Sequence, residues 1–211
     1  MVEDAGVRAA KAAFTQAVVR QADDDLAAWA AAGRSGLIVL RDFLTGAYNP
    51  SWPGVHARDE IDGVAAAVSA IAAAHPDDFL DTFDDDAFRN SLDVLIGLGW
   101  IDRPAATARL LDAAGGADPW VRQRAIIGLG RRTEAEAEAA LIRATGDPEY
   151  LVRCHALMGL TVTGTAAALA TLRGHQGERE YERELAATAV AQIEGRAAAP
   201  QPRPPSTDSE R

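Results

Sequence analysis

Three glycine–leucine pairs recur at an interval of thirty-one residues in the second half of this 211-residue chain. The pairs are Gly97-Leu98, Gly128-Leu129 and Gly159-Leu160, and a further leucine follows thirteen residues after each glycine, at Leu110, Leu141 and Leu172. A period of this length is typical of stacked supersecondary units, because one unit is too small to bury its own apolar face. The interval therefore predicts an array of repeats instead of a single globular core.

Helix start and stop signals surround this interval. In the central unit, Asp118 can cap a helix that begins at Pro119, and Gly130 can end it. Thr133 is the expected cap of the helix that follows. Alanine dominates the apolar fraction of 48%, and aromatic residues reach only 6%, a composition that favours closely packed helices. The sequence thus predicts an all-α fold, an α-solenoid in which antiparallel helix pairs form a superhelical stack.

The same signals divide the chain into three predicted parts. Residues 86–194 form the repeat array, residues 1–85 form a less regular helical region that is either separate or built from diverged repeats, and residues 195–211 form a proline-rich disordered tail. For the N-terminal half, helices are predicted at 3–21, 24–32, 36–45, 59–74, 77–84 and 86–98.

The first helix of each unit resembles that of the short HEAT-like repeats, which were first described in phycobilisome lyases and are widespread in bacteria. The matching residues are Asp118-Pro119-Trp120-Val121-Arg122 to Gly128-Leu129-Gly130, and Asp147-Pro148 to Val152-Arg153 to Gly159-Leu160. The resemblance implies the solenoid fold, and it implies a ladder of ion pairs between repeats at Asp118, Arg122, Asp147 and Arg153. It names no activity, since such repeats serve many roles.

Charge and composition exclude several classes of partner. The formal net charge of −10 repels phosphate backbones and anionic lipid headgroups. The sequence shows no apolar run long enough to cross a bilayer and no signal peptide. Its single cysteine, Cys154, excludes an internal disulfide framework. These features disfavour nucleic acids and membranes as partners and favour a cytoplasmic protein.

Residues that carry catalytic or metal-binding chemistry form no recognisable motif. A histidine lies near carboxylates twice, at His56 and at His75, but neither set has the spacing of a zinc site. Cys154 falls inside a predicted repeat helix, where a cysteine is expected to be a small packing residue. The sequence therefore predicts no catalytic residue, no metal, no cofactor and no enzymatic activity.

A non-enzymatic adaptor or scaffold is the leading hypothesis. Its concave face, lined by the second helix of each pair, is expected to bind a protein partner whose identity the sequence leaves open. The polar residues predicted on this face are Arg103, Arg109, Glu134, Glu138, Arg143 and Arg173.

Aromatic residues offer a second candidate surface. The irregular segment 47–58 contributes Tyr48, Trp52, His56 and Arg58, and exposed aromatic side chains are favoured at protein interfaces. Trp100 and Trp120 lie at turns between helices.

Two other functions stay open: a lyase or enzyme-accessory role resembling that of the phycobilisome lyases, and nucleic-acid binding resembling that of HEAT-like DNA glycosylases. The sequence also leaves the oligomeric state open.

Overall fold

The computed structural model describes residues 4–50, 52, 57–82 and 91–199, except for the side chains of residues 57–60. These ranges hold twelve α-helices, one short 3-10 helix at Ala166–Ala168 and no strand, which confirms the all-α prediction. None of the described helices is both long enough and apolar enough to cross a bilayer. The bounds are α1 Ala5–Arg20, α2 Asp23–Ala30, α3 Gly33–Leu44, α4 Ala57–Ala74, α5 Pro76–Thr82, α6 Leu92–Leu98, α7 Pro104–Ala114, α8 Pro119–Leu129, α9 Ala135–Ala144, α10 Tyr150–Thr163, α11 Leu169–Arg173 and α12 Glu180–Ala198.

Five helices form a continuous layer along the molecule. Helix α4 packs on α6, α6 on α8, α8 on α10, and α10 on α12. We call these five the first helices. The second helices α7, α9 and α11 alternate with them in the chain, and each packs against the first helix that follows it. This alternation is an α-solenoid, as the repeat interval predicted.

Helices α1, α2 and α3 close the N-terminal end of the layer against α4. The ring of Trp29 on α2 is fully buried, and its indole N–H donates to the carbonyl oxygen of Ala67 on α4 at 2.7 Å. Phe14 on α1 packs against the same ring, with 5.0 Å between the centroids, a favourable tilted geometry. One cluster of buried side chains extends from Ala10 to Ile193, so the N-terminal helices share their core with the array.

The repeated glycines are the points where neighbouring first helices meet. A Cβ atom on Gly128 would lie 2.7 Å from the carbonyl oxygen of Leu95, and one on Gly130 would lie 3.0 Å from Cα of Gly159. At Gly97 the neighbour is a side chain, that of Val68, at 2.7 Å. Glycine therefore permits a helix–helix approach that any larger residue at these positions would prevent.

The repeated leucines fill the space between the two helix layers. The side chains of Leu110 and Leu141, on second helices, lie against Gly128 and Gly159 respectively. All six leucines of the interval are buried: Leu98, Leu110, Leu129, Leu141, Leu160 and Leu172.

Several predicted helix starts differ from the observed ones, and two of the differences have a structural reason. Helix α9 begins at Ala135 with Glu134 as its N-cap, not Thr133, because hydrogen bonds from Thr107 and Arg132 hold the Glu134 side chain. The helix expected over 86–98 is not continuous, since Ser91 has an extended backbone and caps a helix that begins at Leu92; residues 86–90 lie outside the described ranges. The predicted boundary between residues 85 and 86 lies outside the described ranges.

The last helix ends later than predicted. Helix α12 continues past residue 194 to Ala198, because Arg196 fixes its last turn on α10. The Arg196 guanidinium donates to the carbonyl oxygens of Thr161 and Gly164, both at 2.7 Å. The remainder of the predicted tail, from residue 200 onward, lies outside the described residues.

Two glycines inside helices test this account of the stack. We expect Gly128→Ala to lower the free energy of unfolding by about 1–3 kcal/mol, because its methyl group would meet the Leu95 carbonyl oxygen. Gly195→Ala is the matched control: no described atom lies within 4 Å of its Cβ position, so it should raise stability by up to about 1 kcal/mol. Urea unfolding followed by circular dichroism measures both, and a Gly128→Ala protein as stable as the parent would contradict the packing.

Candidate interaction surface

Three arginines at corresponding positions of successive repeats hold the loops that precede the first helices. They are Arg122, Arg153 and Arg183, and the Nη1 of each donates to the carbonyl oxygen six residues earlier. The three bonds join Arg122 to Gly116 at 3.2 Å, Arg153 to Asp147 at 3.0 Å, and Arg183 to Gly177 at 2.7 Å. A charged donor satisfies these loop carbonyls and thereby fixes the start of each helix.

The first two of these arginines also reach the next repeat. Arg122 forms a bidentate pair with Asp147, with Nε–Oδ2 and Nη2–Oδ1 distances of 2.8 and 2.9 Å. Arg153 pairs with Glu182, whose side chain is fully buried, at 2.6 Å between Nε and Oε1. The acid is thus a glutamate in the second pair, where the resemblance implied an aspartate. Asp118 has a different role, since its Oδ1 accepts from the Trp120 N–H at 2.8 Å and caps α8.

Both acids of this ladder have lowered pKa values. The hydrogen bond from Arg153 lowers the pKa of the Glu182 carboxyl, and this effect outweighs desolvation, which acts in the opposite direction. Burial by itself raises the pKa of the Asp147 carboxyl. However, hydrogen bonds from Arg122 and from the Glu149 N–H bring that pKa below its usual value. Both carboxylates are therefore held in their charged form.

Most of the polar residues predicted to bind a partner contact other parts of the molecule. Arg103 donates from Nε to Asp77 at 2.9 Å, and Arg109 donates to the carbonyl oxygen of Leu80 at 3.0 Å. Arg173 donates to Glu194 at 2.6 Å.

The two predicted glutamates link second helices to their neighbours. Glu134 accepts from the Thr107 hydroxyl of α7 at 2.7 Å. Glu138 accepts from both the N–H and the hydroxyl of Thr165, at 2.6 and 2.9 Å. Arg143 is exposed and has no side-chain hydrogen bond or ion pair with a described residue. Five of the six predicted residues thus bond to neighbouring helices or loops and hold the repeats together.

The aromatic residues of the irregular segment pack against the core. Trp52 is half-buried, with its ring 6.1 Å from that of Phe14 and 5.8 Å from that of Phe43. Tyr48 is also half-buried and lies under the ammonium group of Lys11, at 4.7 Å from Nζ to the ring centroid. Burial of their large apolar area accounts for this placement. His56 and the side chain of Arg58 lie outside the described residues.

Cys154 and His75, which were considered as possible catalytic or metal-binding residues, have structural contacts. Cys154 is buried, and this burial raises the pKa of its thiol, which makes the thiol a poor nucleophile. His75 contacts the carbonyl oxygen of Ala30 through Nε2 at 2.8 Å. Across the described part of the chain, no three His, Cys, Asp or Glu side chains are grouped as metal ligands.

Two rows of side chains, on the first helices or in the turns directly after them, follow the repeat interval. Met158, Trp100 and Val162 in these rows are 45%, 46% and 69% exposed. Ile96 is buried and Ala65 and Ile127 are half-buried, so the exposed apolar area of the rows is concentrated at Trp100, Met158 and Val162. The first row is Ala65, Ile96, Ile127 and Met158, and the second is Ser69, Trp100, Arg131 and Val162. We call these eight residues the outer band.

Trp100 and Arg131 form the centre of the outer band. The Arg131 guanidinium lies over the Trp100 ring, 4.1 Å from its centroid, a cation–π contact. On one side of this pair is an apolar groove of about 450 Å³ between α2, α4 and α6. On the other side a second depression, of about 460 Å³, reaches Val162. The pair therefore separates two concave regions of one surface.

Of these eight residues, only Trp100 was identified from the sequence. The signal that finds the others is the same thirty-one-residue interval, applied to positions outside the buried glycine–leucine rows. Arg131 could not be paired with Trp100 from local patterns, because their contact joins two different repeats.

Comparison with known families places much of this surface within a known repeat. The family described as HEAT repeats matches residues 107–192, which span most of the array from α7 to α12. No curated protein matches the chain. The matched range includes Arg122, Arg131, Arg153 and Val162 but begins after Trp100.

Two arginines test whether the buried ladder stabilises the array. We expect Arg153→Met to cost about 3–5 kcal/mol, because it leaves the buried carboxylate of Glu182 without its partner. Arg173→Met is the control: both members of the Arg173–Glu194 pair are about half exposed, and such pairs contribute at most about 1 kcal/mol. The double variant Arg153→Met/Glu182→Met should recover much of the loss. Equal effects of the two single variants in chemical denaturation would refute the ladder.

The lowered pKa values predict loss of stability in acid. Because the folded Glu182 and Asp147 carboxyls bind protons less readily than in the unfolded chain, their contribution is complete above about pH 4.5, the usual range of free carboxyls. It is lost as the pH falls through their lower folded pKa values. Melting temperatures measured between pH 7 and pH 3 should therefore fall steeply below about pH 4.5. Glu182→Gln should give a flatter curve, and an unchanged slope would contradict this assignment.

Proposed function

The chain is a HEAT-like repeat protein, and on that premise we propose that it is a non-enzymatic protein-binding module whose partner lies on the outer band. It would act as a cytoplasmic adaptor or scaffold. The observation that carries the proposal is the Trp100–Arg131 pair, because it places a half-exposed tryptophan and an exposed arginine together between two concave regions.

Tryptophan and arginine are the residues that most often dominate the energy of protein interfaces. Trp100 offers a large apolar area that needs little ordering on binding, because its ring already lies against Arg131. Met158 and Val162, at 45% and 69% exposure, supply further apolar contacts. Such a surface recognises another protein through shape and apolar contact.

The net charge of the chain supports a protein as partner. With a charge of −10, the molecule repels nucleic acids and anionic membranes at long range. Arg103, directly before α7, and Arg173 on α11 form internal ion pairs with Asp77 and Glu194. An apolar surface with one exposed cation at its centre does not depend on a basic overall charge.

Trp100→Ala tests the proposal against a matched tryptophan. We expect this variant to bind a partner, isolated from the native host by crosslinking and identified by mass spectrometry, at least about tenfold more weakly. Trp120→Ala is the control, because Trp120 is 58% exposed but lies at the start of α8, outside the outer band. Calorimetric titration of the purified partner measures each affinity.

Arg143→Glu provides the opposing arm, since Arg143 is exposed and is the one of the six residues predicted on the second helices that has no side-chain partner among the described residues. Loss of binding in Arg143→Glu with normal binding in Trp100→Ala would move the partner to the second helices. Normal binding in all three variants would exclude both surfaces.

A further inference from the structure

The spacing of the outer band specifies the shape of the ligand, if the proposed protein-binding function is correct. We propose that the partner presents an amphipathic α-helix that lies across the first helices, with apolar side chains on the outer band and a carboxylate on Arg131. The inference rests on the helix spacing, on the scarcity of hydrogen-bonding groups in the outer band and on the surroundings of Arg131.

The first helices are spaced like the turns of an amphipathic helix. Because their backbones meet at glycines, as at Gly130 and Gly159, their axes are separated by about 8–10 Å. An α-helix rises about 10.5 Å over seven residues, which is close to this separation. A ligand helix that lies across the first helices therefore places the two apolar residues of each seven-residue repeat on one repeat of the array. A ligand helix of about 20 residues, roughly 30 Å long, reaches all four positions of the outer band.

A helix also suits the polarity of the outer band better than an extended peptide does. An extended or polyproline segment leaves its backbone N–H and C=O groups without internal partners, so its binding surface must supply donors and acceptors or leave room for water. Among the side chains of the outer band, only Ser69, Trp100 and Arg131 carry hydrogen-bonding groups, and the indole of Trp100 offers a single donor. A helix satisfies its own backbone, and it can bury apolar side chains on such a surface without leaving those groups unpaired.

Arg131 supplies the charge preference. Its guanidinium lies over the Trp100 ring, 4.1 Å from the centroid, and its donors have no hydrogen-bond acceptor among the described residues. A carboxylate can accept two parallel bonds from such a guanidinium. Arg131 is the only cationic residue of the outer band. An acidic residue of the ligand helix should therefore lie opposite Arg131, between the residues that contact Trp100 and Val162.

The whole 211-residue chain is tested with designed peptides, because the native ligand is not needed for this question. The first probe is a fluorescein-labelled 21-residue helical peptide, about three heptads long, with leucine at the apolar positions and glutamate beside them. The second has lysine in place of every glutamate, and the third is the glutamate peptide with a central proline that breaks the helix. Fluorescence anisotropy measures binding of each peptide.

We expect the acidic helical peptide to bind at least tenfold more tightly than the lysine or proline peptide. Trp100→Ala and Val162→Ser should each weaken its binding several-fold, whereas Trp120→Ala should not change it. Arg131→Glu should reverse the preference, so that the lysine peptide binds more tightly than the glutamate peptide. Melting curves of every variant establish that each is folded, and all four substituted side chains are exposed.

Equal binding of all three peptides, or no reversal in Arg131→Glu, would overturn the inference. Two other occupants would also overturn it. A dimer that sedimentation detects and that Trp100→Ala dissociates would assign the outer band to a second copy of this chain. Tighter peptide binding by a protein that ends at residue 199 would assign it to the chain's own proline-rich end. Failure of the peptides together with a Trp100-dependent native partner would leave the proposed function standing and remove only the helical ligand.

Discussion

Backbone contact between the first helices is the constraint on which the rest of this structure depends. At Gly128 the preceding first helix, and at Gly130 the following one, is so close that an added methyl group would meet main-chain atoms. Leucines of the second helices, such as Leu110 and Leu141, then lie against these contacts and fill the layer below. The glycines thus set the distance between repeats, and every interaction between repeats must span that distance.

The arginine ladder is one consequence of this distance. Arg122 and Arg153 each bind the carbonyl oxygens of their own loop and an acid of the next repeat. One side chain satisfies both only because successive helices are closely and regularly spaced. Glu182 shows how strongly the array relies on this bond, since its carboxylate is fully buried and its pKa is lowered by Arg153. A repeat array with few aromatic residues thus gains part of its cohesion from paired charges in its interior.

The same spacing explains why the two faces of the molecule differ. On the second helices, charged residues such as Glu138 reach the neighbouring repeat and are used internally. On the first helices and in the turns after them, three large apolar residues of the outer band reach solvent, namely Trp100, Met158 and Val162. An interaction surface on the first helices is therefore our proposal in place of the polar face that the sequence suggested.

The sequence by itself determined the repeat interval, the helical class and the buried glycine–leucine rows, because these depend on local periodicity and on residue size. It also identified Asp118 as a helix cap, an interaction within three residues. Only the tertiary structure decided where the polar side chains found partners. Glu134 joined Thr107 of the preceding helix, Tyr48 and Trp52 turned to the core, and Arg131 met Trp100 thirty-one positions earlier. Such contacts join residues that are distant in the chain, and their energies depend on burial and geometry that exist only once the helices are stacked.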